Sequence, residues 1–216
     1  MILSTVIQQL LEGMITSIEI FLLTLLFSLP LGLAVAGGRM SRFRPLRWLM
    51  KLYISIMRGT PLMLQLIVVF FAPYYLFGIS LSTEYRFISV IIAFTINYAA
   101  YFAEIYRGGI ESINSGQYEA AQVLGYSKLE TFFIIIMPQV VKVILPSVTN
   151  EVITLVKYTS LSFVIAIPEM FTVAKQIAAA DASIAALLVA GLFYYVFNIL
   201  VALVMEHIEH RLDYYE

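Results

Sequence analysis

"GMITSIEIFLLTLLFSLPLGLAVAGG", residues 13–38, carries one charged side chain, Glu19, in an otherwise apolar run closed by two glycines. A bilayer core about 30 Å thick is crossed by about 20 mostly apolar helical residues. The stretch is long enough to do that, with Pro30 toward its end. Four further stretches meet the same test: 61–79, 87–106, 147–167 and 184–205. Thr60 and Pro61 suit the N-cap and first helical residue of the second, and Pro168 stops the fourth. The chain therefore reads as an all-α membrane protein with five transmembrane helices.

Composition agrees. Of 216 residues, 61% are hydrophobic and 12% charged, against about 25% charged in soluble domains. A net charge of −1 gives no reason to expect a nucleic-acid partner, and the absence of cysteine excludes disulfides and thiolate metal sites. His207 and His210 read as a solvated helix end rather than a metal pair, and no metal is expected. The N-terminus lacks the basic region of a signal peptide, so the first span is expected to be retained.

Charge asymmetry sets the orientation. Arg39, Arg42, Arg44, Arg47, Lys51, Arg58, Arg107, Lys128, Lys142 and Arg211 fall on one side, and only Arg86 and Lys175 on the other. This places the N-terminus outside and the C-terminus in the cytoplasm. Residues 1–12 put Ile2, Val6 and Leu10 near one stripe, which suits an external interfacial helix. Residues 45–58 mix Trp48, Leu49, Leu52 and Ile56 with Arg47, Lys51 and Arg58. They lie at the cytoplasmic interface or extend the second span inward. Tyr74, Tyr75 and Phe77 read as an interfacial aromatic belt, and "EMFTVAKQIAAADAS" (169–183) as an outer surface helix. No internal repeat is visible, which weighs against a carrier built from inverted halves.

The longest polar insertion, 108–138, has helical grammar. Asn114 or Ser115 caps "SGQYEAAQVL", Glu119 suits the helix dipole, and Gly125 stands where a C-cap needs a left-handed residue. Ser127 and Glu130 have capping-box spacing, and Pro138 limits the second helix. Ala120 and Ala121 leave room for another backbone. Taken alone, these features fit a stable loop without a partner, a docking element, or a DNA-binding helix-turn-helix, the last disfavoured by tethering between two spans and by few nearby cations.

"EAAQVLG" followed by "YSKLETFFIIIMP" resembles the EAA loop of binding-protein-dependent ABC importer permeases. The pattern is Glu-Ala-Ala, three residues, Gly, nine residues, Ile, one residue, then usually Leu-Pro; Met137 replaces the leucine before Pro138. "MRGTPLMLQL" (57–66), "NYAAYFAEIYRGGIESI" (97–113) and "LPSVTNEVITLVKYTSLSFVIAIPE" (145–169) narrow the resemblance to the polar amino acid uptake branch, over about residues 13–212. Tyr158 departs from the aspartate that many relatives carry after the lysine.

The resemblance implies a type I ABC importer transmembrane domain over 13–212, in a prokaryotic cell (inner) membrane. Its partners would be ABC ATPase subunits, a second permease copy or paralogue, an extracellular or periplasmic solute-binding protein, and an amino acid substrate. Glu119, Ala120, Ala121 and Gly125 would couple to the ATPase. Transport would proceed by alternating access. The chain has no Gly-x-x-x-x-Gly-Lys loop, so hydrolysis by that route needs a partner. No cofactor is expected in this chain and no catalytic residue; ATP and Mg would sit on the ATPase.

Within the spans, Asn150, Thr154 and Lys157 share a helical face, with Glu151 beside it and Ser160 partly around it. A lysine near mid-membrane costs roughly 2.5–3.5 kcal/mol on insertion scales, so this stripe should face protein or water. Two readings stand: a path touching the amino acid's charged ends, or an internal ion pair of Lys157 with Glu151 or a glutamate of another helix. Asn97, Tyr101 and Glu104 share a face of the third span, where Glu104 either meets substrate or pairs with Arg107. Ala99 and Ala103 permit close helix packing. Two rival functions remain on residues alone. A channel or ion-coupled carrier would transport without an ATPase, and a membrane scaffold would bind one without transporting.

Overall fold

The computed structural model describes residues 3–212 and contains helices and no strand among them. In chain order they are α1 (Leu3–Arg39), α2 (Arg44–Gly59), α3 (Leu62–Phe77), α4 (Thr83–Ser112), α5 (Ser115–Val123) and α6 (Lys128–Glu130). A π turn (Thr131–Ile136), α7 (Met137–Tyr158), a 3-10 turn (Thr159–Ile165), α8 (Met170–Ala180) and α9 (Ala185–Leu212) follow.

Four helical runs are long and apolar enough to cross a membrane by themselves: 4–39, 83–112, 128–165 and 185–212. The second expected span differs. α3 has 16 residues, about 24 Å at 1.5 Å per residue, and needs α2 to complete a crossing. The pair makes the fifth span only as a broken one, bent by 110°. Residues 45–58 lie in α2, which this bend joins to α3.

α4 is the central post. Val90, Ala93, Phe94, Ala99, Ala100, Phe102 and Ala103 are fully buried along it, and it packs on α1, α2, α3 and α7. Small residues let these helices approach. A Cβ on Gly32 of α1 would lie 2.8 Å from the Phe102 Cβ and 3.3 Å from the Ala99 carbonyl oxygen. α9 turns Leu188, Leu192, Tyr195, Leu200, Leu203 and Val204 away from the protein, leaving an apolar face for lipid or another apolar surface.

Several expectations need correction. Residues 1–12 do not form a separate helix: from Leu3 they continue into α1 (residues 1 and 2, with Ile2, lie outside the described residues). Val6 and Leu10 are buried with Met170, Ala174, Ile177, Ala186 and Ala190 of α8 and α9, so the apolar stripe meets protein. Thr60 does not cap α3. Its hydroxyl donates to the Ile56 carbonyl at the end of α2 (2.8 Å), and Pro61 is the residue before the helix. Pro138 does not end the helix that starts at Lys128. The backbone widens into the π turn just before it, with the Met137 N–H donating to Phe132 O, so the missing proline N–H is absorbed. The fourth span closes two residues before Pro168, on Ala166 in the left-handed region (φ 56°), whose N–H donates to Phe163 O.

Gly13 marks the tightest contact between α1 and α8. A Cβ there would lie 2.8 Å from Met170 Cα and 2.9 Å from Met170 N, both backbone. Gly13→Ala should lower the unfolding free energy by about 1–3 kcal/mol through overpacking. Gly37→Ala, where nothing lies within 4 Å, should be neutral or stabilising. Denaturant unfolding of the two variants in micelles would compare them.

Candidate functional site

Two regions gather the chemistry-bearing residues. The first is the insertion between α4 and α7. Asn114 caps α5, its side-chain oxygen accepting from Gly116 N at 2.8 Å. α5 ends as the sequence predicts: Gly125 has φ +84°, its N–H donates to Gln122 O, and the Tyr126 N–H donates to Ala121 O. Ser127 and Glu130 exchange both capping-box bonds, Ser127 N to Glu130 Oε2 at 2.8 Å and Glu130 N to Ser127 Oγ at 3.3 Å. The Ser127 bonds hold the Glu130 carboxyl below the usual range.

The four residues singled out here divide. Ala121 is buried as α5 packs on the chain's own π turn, so its small side chain is used internally. Glu119, Ala120 and Gly125 are exposed. Sequence reading missed the apolar residues beside them: Val123 is 87% exposed, Leu124 75% and Leu129 71%. Apolar residues flanking a polar glycine turn were the available signal. Together they form a protruding apolar knuckle, which has the character of a protein contact.

The second region is the break between α2 and α3, beside the midpoint of α4. Asn97 Nδ2 donates to Met57 O (3.0 Å) and to Gln65 Oε1 (2.9 Å). Gln65 Nε2 donates in turn toward Met57 O (3.0 Å), Thr60 O (3.1 Å) and Thr60 Oγ1 (2.8 Å). The Tyr53 hydroxyl donates to Ile96 O. Carbonyls released by the break thus find partners, as backbone at membrane depth must. Both Asn97 N–H groups are used inside the chain.

Arg58, the last cation before the break, lies 5.3 Å from the Tyr101 ring centroid. Half-buried Glu151 on α7 lies within electrostatic reach of Arg58. Arg58 reads from sequence as a loop cation, but it stands beside the midpoint of α4; without it, the side carrying more cations keeps nine, against two. A cation directly before Gly-Thr-Pro was its only sequence signal. Tyr98, also missed, is buried with an unpaired hydroxyl.

The remaining candidates separate. Thr154 and Ser160 are half-buried, and Asn150 and Lys157 are exposed. Among the described residues, no carboxylate lies within ion-pair distance of Lys157. The Lys157–Glu151 pair does not form, because six residues along a helix turn the two side chains to different faces. Glu104 is paired internally, 2.7 Å from Arg107 and 4.0 Å from Arg39. The described residues hold no group of three or more potential metal ligands.

This arrangement, a discontinuous span with polar groups at its break and a protruding glycine turn, has relatives. A family profile described as "Binding-protein-dependent transport system inner membrane component" matches residues 28–214. The chain belongs to that family. It is accordingly a multi-pass inner-membrane component of the ABC importer permease class. It is 38% identical over 205 residues to the L-cystine transport system permease protein TcyB of Bacillus subtilis, covering 94% of this chain and 86% of that one. It is 35% identical over 203 residues to the arginine transport system permease protein ArtQ of the same organism, covering 94% and 91%. A crystal structure of an amino acid ABC transporter with histidines superposes with a TM-score of 0.86 at 28% identity, covering 94% of both chains. An inward-facing form of the MetNI methionine ABC transporter matches in fold, with a TM-score of 0.72 at 15% identity, covering 96% of this chain and 95% of that one.

Removing the Asn97 clamp orphans Gln65 Oε1 and takes one of the two donors from Met57 O. Asn97→Leu should cost about 1–3 kcal/mol of stability, and adding Gln65→Leu should cost less than the sum of the two single changes. A double-mutant cycle from unfolding in micelles measures both.

Proposed function

We propose that the chain is the membrane-spanning subunit of an ATP-driven importer of a polar or basic amino acid, working by alternating access. The observation that carries this reading is the apolar knuckle around Gly125, joined to α4 by two residues and continued into α7 through one helical run. Force on the knuckle reaches the two helices that flank the break. Glu119, Ala120 and Gly125 present the docking surface to a separate ABC ATPase, and Ala121 seats it. ATP and Mg belong to that partner.

The substrate path runs past the break. An amino acid offers a carboxylate and an ammonium group. Arg58 suits the first and Glu151 the second, with Tyr101 beside Arg58 and with Asn150, Thr154, Lys157 and Ser160 along the neighbouring face of the fourth span. Asn97 acts by holding the break, and Glu104 by anchoring α4 to α1. The relatives named for cystine and arginine support an amino acid as cargo. A second permease copy or paralogue completes the path, and a solute-binding protein delivers the amino acid. The nine-to-two excess of cations supports an outer N-terminus and a cytoplasmic C-terminus.

The decisive experiment reconstitutes the chain with its ATPase and binding protein and measures uptake and ATP hydrolysis over a panel of amino acids. A Cβ at Gly125 would meet no atom within 4 Å, but Gly125→Leu forces a branched residue to φ +84°. It should therefore leave the chain inserted while cutting uptake and ATPase stimulation at least about tenfold. Unchanged coupling would overturn the assignment of the knuckle. At the break, Arg58→Gln and Glu151→Gln should each reduce uptake about tenfold, as expected for losing one charged contact, while ATPase docking stays intact.

A further inference from the structure

We propose that the first half of α2 is a binding surface for the headgroups of anionic phospholipids. At 100° per residue, α2 has three faces rather than two. One packs inward: Ile54 is buried, and Met50, Tyr53 and Met57 are half-buried against the core. The second is apolar yet uncovered: Trp48 is 65% exposed, and Leu49, Leu52 and Ile56 are also exposed. The third carries Arg44, Arg47 and Lys51, all exposed, with exposed Arg42 just before the helix.

Among the described residues none of these four cations has a carboxylate within ion-pair distance, and the sequence contains no acidic residue between Glu19 and Glu84. Two of them, Arg44 and Arg47, stand in the first turn, where the helix dipole disfavours cations, and that turn contains no acid. Uncompensated positive charge of this kind calls for an anion from outside the chain.

The neighbouring apolar stripe decides which anion. A soluble acidic partner would have to cover Trp48, Leu49 and Leu52 as well as the cations. The boundary between headgroups and acyl chains offers both chemistries at once, with tryptophan at the level it favours and basic side chains reaching the headgroups. The geometry places α2 at that level. It starts five residues after α1 ends, then rises until Met57 meets the midpoint of α4. It packs on α1 and α4, while the knuckle packs on the π turn. The inference is independent of which leaflet α2 faces and of what the chain transports.

Trp48 is the chain's one tryptophan and reports directly on its own surroundings. The full chain is placed in vesicles holding about one phosphatidylglycerol per ten lipids in phosphatidylcholine. Brominated acyl chains are carried by the phosphatidylglycerol in one set and by an equal amount of phosphatidylcholine in the other. Surface charge is then identical and only the identity of the quencher differs. Trp48 quenching should be about threefold greater with bromine on the anionic lipid, and the preference should fade at high salt. The triple change Arg44→Gln, Arg47→Gln, Lys51→Gln should equalise the two lipids. Arg47→Gln alone should weaken the preference in part, and Arg211→Gln, at the far end of α9, should leave it intact. Equal quenching in the unaltered chain, or a preference that survives the triple change, overturns the proposal. So does a preference that vanishes when an ATPase subunit binds, which would reassign the patch to a protein contact.

Discussion

The architecture depends on how the broken second span satisfies its backbone. Where α2 turns 110° into α3, Thr60 and Pro61 lie outside both helices, and the last carbonyls of α2 lose their helical partners at the level of the midpoint of α4. Lipid offers no replacement partners, so each unpaired group there would cost several kcal/mol. Asn97 and Gln65 supply the partners, joined to each other and both anchored to Met57 O. With the clamp in place, Arg58 is held beside Tyr101 rather than drawn to a membrane surface. Without it, the break has no reason to persist.

α4 then links this site to the surface. It runs unbroken from Ser82, whose side chain caps it, to Ser112. Asn97 lies at its midpoint. Glu104 lies lower, between Arg107 and Arg39 of α1, and Asn114 caps α5 two residues after α4 ends. α8 is fixed to α1 and α9 by Glu169, a buried carboxylate that caps it. Glu169 accepts from the N–H groups of Phe171 and Thr172 (2.8 and 2.7 Å), from the hydroxyls of Thr172 and Tyr194 (2.8 and 2.9 Å), and from Ser17 (3.4 Å). Burial pushes its carboxyl above the usual range while those bonds act in the opposite direction. α1, α8 and α9 therefore meet at one polar point.

Much of this was legible because the signals were local. Asn114, Gly125, Ser127 and Glu130 are cap residues whose chemistry acts within a few positions, and each behaves as its spacing implies. Long apolar runs likewise announced the helices. What escaped detection was tertiary. Residues 1–12 looked like a surface helix because their apolar stripe faces α8 and α9, which no window on that segment contains. Thr60 and Pro61 looked like a helix start because sequence alone hides the competing use of the Thr60 hydroxyl by α2. Arg58 looked like a loop cation because its place beside α4 is set through Met57 O by Asn97, thirty-nine positions away. Glu169 showed as the start of a surface helix and gave no sign of its partners on α1 and α9.

The backbone irregularities share one logic. The α2–α3 break, the π turn before Pro138 and the 3-10 turn at Thr159–Ile165 lie in the elements that carry the proposed path or lead into it. α1 and α9, which build the frame, remain regular, α1 even through Pro30. A regular helix buries its polar backbone and offers a solute only side chains. An interrupted one exposes hydrogen-bonding groups, tolerable in a membrane only where protein or a water-filled cavity meets them. Pro138 shows the same economy. One π turn preserves a continuous run from Lys128 to Ile165, so under the proposed coupling a displacement of the knuckle would be carried into α7 instead of being lost at a hinge.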